Sequence, residues 1–326
     1  MTAGHARDPF GPATPVSGVG TATVSGMRAW GGDERAALVA LLRTRPDGQS
    51  WSQLAARVAE VGSARQIWES SYPGDLFGEN DEAITSAAGD IATWRDQPYR
   101  FLTFMDADYP AQLRDVHEFP PVLFSRGRLR PNDAGVSVVG SRAASDAAVR
   151  DASEVARLIV DRGLTVISGL AAGIDAAAHE AALAHGGRTV AVIGTGIERY
   201  YPAANRDLQD RIAHNGLLLS QFWPNSPPTK LSFPLRNATM SAYGKATVIV
   251  EAGEKSGARI QARVAVAHGR PVILMKSVVL ATEWGRALRD QPGVTIADSP
   301  DEAAAQIDKI LLDDELVARL LTSAGG

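Results

Sequence analysis

A chain of 326 residues, 45% hydrophobic and 21% charged, with a net charge of −4 and no cysteine, has the composition of a globular protein of one or two domains. The lack of cysteine excludes disulfides, thiolate zinc sites and a cysteine nucleophile, and the acid excess excludes a polycation that binds nucleic acid through bulk charge. No apolar run approaches the roughly 18 residues of a membrane span, so the expectation is a cytoplasmic protein with no membrane partner.

Residues 1–26, dominated by Gly, Pro, Thr and Ser, read as a disordered tail. Over 27–98 the apolar spacing predicts a small helical module, with helices at 33–42, 52–70 and 82–94. The stretch 101–127 predicts a short strand, a helical turn after Tyr109-Pro110 and a stop at Pro120-Pro121. It leads into a large domain over 99–312, followed by a C-terminal helix and tail over 313–326. Within that domain strands are expected at 136–139, 165–167, 189–193, 217–220, 247–250 and 271–274. Helices are expected at 145–161, 174–185, 206–215, 235–243 and 256–268. Strands without polar alternation, separated by helices, predict an α/β fold: a doubly wound, Rossmann-like parallel sheet with the small helical module in front.

Four of the strands break into glycine and feed a helix, which brings backbone N–H groups to one crevice suited to phosphate. Gly140-Ser141-Arg142 ends the first, supplying close backbone approach, a hydroxyl and a planar fork for phosphate oxygens. Neither a dinucleotide fingerprint nor a Walker loop is present, so no nicotinamide cofactor or ATP hydrolysis is expected, and no cofactor of any kind. Ser168-Gly169-Leu170-Ala171-Ala172-Gly173 opens a helix with Asp175 and His179 one turn apart. That pair is either an acid–base couple or half a metal site, or a dipole-facing Asp with a hydrogen-bonded His. The second reading is favoured, with no metal and no catalytic residue.

Lys230-Leu231-Ser232-Phe233-Pro234-Leu235-Arg236-Asn237 combines an aromatic with two cations and an amide, the chemistry that grips single strands. Taken alone, the segment is better explained as a loop whose Phe233 plugs the core. Ser256-Gly257 opens a helix carrying Arg259 and Arg263 on one face. Between residues 229 and 276 eight basic residues face only Glu251 and Glu254, a charge of +6 that leaves −10 elsewhere and suggests one positive surface.

In order, these motifs resemble the DNA-processing protein A (DprA/Smf) family over residues 101–265. The resemblance is carried by Tyr109-Pro110, Pro121-Val122-Leu123-Phe124, Gly140-Ser141-Arg142, Ser168-Gly169-Leu170-Ala171 through Asp175 to His179, Tyr201-Pro202, Phe233-Pro234 with Arg236-Asn237, and Glu251-Ala252 before Ser256-Gly257. It implies a homodimer that binds single-stranded DNA and helps load a RecA-type recombinase in recombination or natural transformation. On that pattern Arg142, Lys230, Phe233 and Arg236 hold the strand, while Gly140, Ser141, Gly169, Asn237, Ser256 and Gly257 shape a phosphate pocket. Ser168 and Arg259 flank it. The chain departs from the pattern at Ala238, where a second arginine is usual, at Gln221, where a glutamate is usual, and after Leu274, where Pro-Gly is usual. The family's frequent C-terminal winged helix is not expected here.

The first reading is therefore a non-catalytic single-stranded DNA binder. The second is a small-nucleotide site, since the fold is similar to that of the lonely-guy nucleotide hydrolases. Glu251 would serve there as acid or sensor, for instance in phage defence, although the Pro-Gly-Gly-x-Gly-Thr loop of those enzymes is not present. A third is an interaction scaffold, against which Arg142 and Arg236 argue.

Overall fold

A computed structural model describes residues 30–73 and 79–324. The expected tail at 1–26 lies outside the described residues. The helical module comprises α1 (Gly32–Thr44), α2 (Trp51–Val61), α3 (Ala64–Ser71) and α4 (Glu79–Arg95). The strand β1 (Arg100–Thr103) follows, then β2 (Val122–Gly127) and β3 (Gly135–Val139). The chain continues through α5 (Asp146–Asp161), β4 (Thr165–Ser168), α6 (Ile174–Ala184), β5 (Thr189–Val192), α7 (Arg206–Asn215) and β6 (Leu217–Ser220). It ends with α8 (Ser232–Tyr243), β7 (Ala246–Ile249), α9 (Gly257–Ala267), β8 (Val272–Met275), α10 (Lys276–Ala281), α11 (Glu283–Leu288), β9 (Val294–Ala297) and α12 (Pro300–Ala324).

The nine strands form one sheet in the order β1-β2-β6-β5-β4-β3-β7-β8-β9. From β3 the chain steps one way through β4, β5 and β6, then returns beyond β3 to lay down β7, β8 and β9. All these pairs are parallel, as the unbroken apolar runs required. The wholly parallel expectation needs one correction, because β1 and β2 add antiparallel strands at the β6 edge. The reversal between β3 and β7 is the switch point at which open α/β sheets hold ligands.

Alternation along the strands divides the core between two faces. Val136, Val138, Val166, Val248 and Ile273 pack with α5, α6 and α12 through Ala152, Val155, Ile159, Ala178, Ala182 and Ile307. Val139, Ile167, Ile249, Val272 and Leu274 face α8 and α9, with Met240, Tyr243, Ala258, Ala262 and Ala265. The helical module closes over the antiparallel edge by an aromatic cluster. Trp94 lies 5.0 Å from both Phe101 and Phe124 and stacks at 5.8 Å on Trp223, while Trp51 meets Trp223 edge-on at 5.2 Å.

The single helix expected over 52–70 is two helices. Gly62, at φ 77°, ends α2 in the left-handed conformation that suits glycine. Ser63 then caps α3 through Gln66 N–H, and the Glu34 carboxylate on α1 accepts from Ser63 Oγ and from the Ala64 and Arg65 amides. Apolar periodicity continues across this break, which is why it was hidden. Strand β9 was also unforeseen: it is a four-residue edge strand that buries little beyond Ala297.

Under the sheet, Asp133 joins three elements. Its carboxylate accepts from Arg188 at 2.7 Å, from Thr165 Oγ1 at 2.6 Å and from Tyr243 Oη at 2.8 Å. Burial alone would push this carboxyl up, but the hydrogen bonds from Arg188, Thr165 and Tyr243 hold it below its usual value.

Candidate nucleic-acid interface

The loop after β3 and the start of α9 enclose a cleft of about 530 Å³ at the switch point. Gly140, Ser141 and Arg142 line one wall; Lys255, Ser256 and Gly257 line the other; Phe233, Arg236 and Asn237 from α8 stand between them. Eight of the twelve expected site residues therefore meet in one place. Gly140 is required by the close approach of two neighbours: a Cβ there would sit 2.6 Å from Ile174 Cγ1 and 2.7 Å from the Glu251 carbonyl. Ser256 caps α9 by accepting from Ala258 N–H, leaving the positive end of an eleven-residue helix at the cleft.

Phe233 sits on the rim. Its ring packs against Gly194, where a Cβ would be 2.8 Å away, and leans on Tyr201 at 5.8 Å. The Arg142 guanidinium lies over its face, 5.0 Å from the ring centre. Phe233 is only half-buried, so the core-plug alternative does not describe it.

Arg236, expected among the residues that hold the strand, is anchored from behind. It is buried, with Nη1 donating to the carbonyls of Gly169 and Val192, the latter at 2.8 Å, and Nε donating to Asn237 Oδ1 at 3.0 Å. Gly169 makes room for it, since a Cβ there would fall 2.0 Å from Nη1. Burial weakens its hold on the proton, which Asp175 partly restores. It still lines the cleft, as a fixed charge in the floor.

Asp175 and His179 are structural. The Asp175 carboxylate accepts from the Gly169 and Ala171 amides, tying down a turn in which Leu170 takes φ 58°. Burial raises its carboxyl pKa against the opposing pull of Arg236 and these amides. His179 Nδ1 pairs with Thr189 Oγ1 at 2.7 Å, and burial together with the Arg236 charge lowers its pKa to about 3. Among the described residues no group of three or more His, Asp or Glu side chains could hold a metal ion.

Four expected residues lie outside the cleft lining. Ser168 is buried, with Oγ donating to the Val138 carbonyl at 2.6 Å, and Gly169 backs Arg236. Lys230 is exposed just before α8. Arg259 faces the other side of α9, where it lines a separate hollow with Arg263 and Trp284. The cleft also recruits Lys255 from the basic window and Asp175 from the start of α6, together with Met240 and Gln261, which carried no local signature. Of the departures, Ala238 is buried in α8 and Gln221 pairs with Thr239, so neither lines the cleft.

The basic window does not form one positive surface. Lys245 pairs with Asp314 at 3.0 Å, Arg270 with Asp115 at 3.0 Å and Lys276 with Asp298 at 2.8 Å, on three different parts of the fold. Charges adjacent in sequence were dealt out to opposite ends of helices and strands, where acids from elsewhere in the chain meet them. Glu251, the candidate acid, accepts from Ser145 N–H at 3.1 Å and from Ser145 Oγ at 2.6 Å, which fixes the entry to α5. Among the described residues no helix is long and apolar enough to cross a membrane.

A family model described as DNA recombination-mediator protein A matches residues 100–299. The chain is 42% identical to the Smf protein of Synechocystis over 178 residues, 53% of this chain and 45% of the relative. It is 38% identical to the DNA processing protein DprA of Streptococcus pneumoniae over 185 residues, 56% of this chain and 65% of that one. The chain thus spans about half to two thirds of the length of these curated relatives. The crystal structure of DNA processing protein A from S. pneumoniae superimposes with a TM-score of 0.65 at 29% identity, covering 85% of this chain and 98% of that chain. The motif order, the sheet topology and the family match agree: the chain belongs to the DNA recombination-mediator protein A (DprA/Smf) family.

Proposed function

We propose that the cleft binds single-stranded DNA without cleaving it, and that the protein acts in DNA processing during recombination or natural transformation. One observation carries the reading: a cation stacked on an aromatic ring stands at the rim of a glycine-walled cleft that ends on a helix N-terminus. Phosphate is drawn to that end by Arg142, Lys255 and the α9 dipole. The half-buried Phe233 with Arg142 over it, and the exposed Tyr201 beside it, would offer an unpaired base a stacking surface that duplex bases cannot reach. Lys230, exposed before α8, would extend the contact along the strand. The family's description as a recombination mediator extends the proposal to loading a RecA-type recombinase, in the cytoplasm and as a homodimer. A small-nucleotide sensor would use the same anion end. The hydrolase version gains no support from Glu251, whose two oxygens are engaged by Ser145.

The test is a fluorescence-anisotropy titration of labelled oligothymidine against a duplex of equal length at two ionic strengths. The strand is expected to bind more tightly than the duplex and to weaken with salt. Equal affinity for the two, or binding of mononucleotides without binding of the strand, overturns the proposal.

A further inference from the structure

Of the ten large apolar side chains exposed among the described residues, five fall between 312 and 321, on the distal half of α12. Scattered exposed leucines are ordinary, but a contiguous apolar patch marks a contact surface. The proximal half of α12 shows which way the helix faces. Ala303, Ala304 and Ile307 are buried, and Ile310 and Leu311 pack on the same core. Further along, Asp314 accepts from Lys245 Nζ at 3.0 Å and holds that face against the fold. At 3.6 residues per turn, Leu312, Leu316 and Leu320 then form a ridge half a turn away, on the side turned from the core.

The flanks of the ridge say what covers it. Residues 312–321 carry Asp313, Asp314 and Glu315 against Arg319 alone, a charge of −2. A helix that lies on an anionic membrane needs the opposite, a polar face rich in Lys and Arg. A second copy of the ridge fits instead. Glu315 and Arg319 share one flank, paired at 3.8 Å, with Leu316 between them along the axis. A two-fold axis beside Leu316 reverses that order in the second helix. Each Arg319 then comes beside Glu315 of the other copy, and the leucines of the two antiparallel ridges interleave. Self-complementarity of this kind is what an isologous contact requires.

We infer that α12 pairs antiparallel with α12 of a second copy of this chain, with Leu316 next to the two-fold axis and Leu312 and Leu320 to either side. This deepens the homodimer reading above by naming a surface for it, and it is independent of strand binding. Three leucines a side bury less than the roughly 800 Å² per partner of a standard interface, so the pairing is expected to be weak and concentration-dependent.

The lack of cysteine makes the register testable by cross-linking. Packed helix axes lie about 8–10 Å apart and Cα atoms about 2.3 Å from each axis, so residues facing across the two-fold have Cα atoms about 5 Å apart. That is within reach of a disulfide. Leu316→Cys in the full chain is therefore expected to form a covalent dimer on oxidation with copper–phenanthroline. Leu312→Cys, on the same ridge, meets its own copy about 12 Å away along the axis and is expected to stay monomeric on a non-reducing gel. Sedimentation equilibrium without oxidant gives the second readout. Leu316→Glu is expected to weaken association about tenfold by setting like charges together. Because Leu316 is exposed, the melting temperature is expected to be unchanged. Glu315→Arg and Arg319→Glu should each weaken association, and the double exchange should restore it. Equal cross-linking at 312 and 316, or a dimer that Leu316→Glu leaves intact, puts self-association on another face and overturns the inference while the homodimer stands. A chain that is monomeric in both assays overturns both.

Discussion

The guanidinium of Arg142, on the loop after β3, lies 5.0 Å from the ring centre of Phe233 in the first turn of α8. Two segments about ninety residues apart are thus held as one unit at the rim of the cleft. A pair in contact does not contribute additively. Phe233→Ala is expected to cost about 1–3 kcal/mol of strand affinity through lost stacking. The double variant with Arg142→Ala should lose less than the sum of the two singles. Anisotropy titrations at one salt concentration measure this coupling, and strict additivity would show that the two groups act separately.

Gly169→Ala tests the floor. Its Cβ would fall 2.0 Å from Arg236 Nη1, so the guanidinium must leave the Gly169 and Val192 carbonyls. Overpacking of this kind costs about 1–3 kcal/mol. Chemical denaturation should show that loss, and strand binding should weaken as well although Gly169 itself does not line the cleft.

Asp133 should be the most sensitive carboxylate for stability. Removing it leaves Arg188 buried without its partner, and breaking a buried pair costs about 3–5 kcal/mol. Asp133→Ala is expected to lower the urea midpoint by the corresponding amount. Replacing an exposed carboxylate such as Glu69 should change it by less than about 1 kcal/mol.

His179 gives the fold an acid sensitivity of its own. Its folded pKa of about 3 lies below the ordinary histidine value of 6.5, so the unfolded chain binds a proton first as the pH falls. Stability is full above 6.5 and is lost between 6.5 and about 3, with a slope of up to about 1.4 kcal/mol per pH unit. Asp175 works the other way, because its raised carboxyl pKa lets the folded state take up a proton before the unfolded chain does. The difference between wild type and His179→Gln isolates the histidine: the variant's stability should fall less steeply over that range in denaturant titrations.

The sheet was legible because its strands are uninterrupted apolar runs, and the cleft because Gly140-Ser141-Arg142 and Ser256-Gly257 are local signatures of close approach and helix entry. What sequence hid was pairing at a distance. Nothing around Arg236 says that the Gly169 and Val192 carbonyls await it, so its anchoring in the cleft lining was not legible. The paired states of Lys245, Arg270 and Lys276 depend on acids 22 to 155 residues away, so a dispersed set of charges looked like one surface. Gln261 sits mid-helix among alanines and valines, and only its burial and its unpaired amide set it apart. The break between α2 and α3 rests on Glu34, contributed by another helix.

The central claim is that this cleft neutralises a single strand's backbone, and the salt dependence of oligothymidine affinity tests it most directly. Plotted as log affinity against log salt, wild type is expected to follow a line falling by about 0.7 for each phosphate held, and Arg142→Ala a line shallower by about that amount. An affinity that stays flat as salt rises, or a slope that Arg142→Ala leaves unchanged, would contradict it.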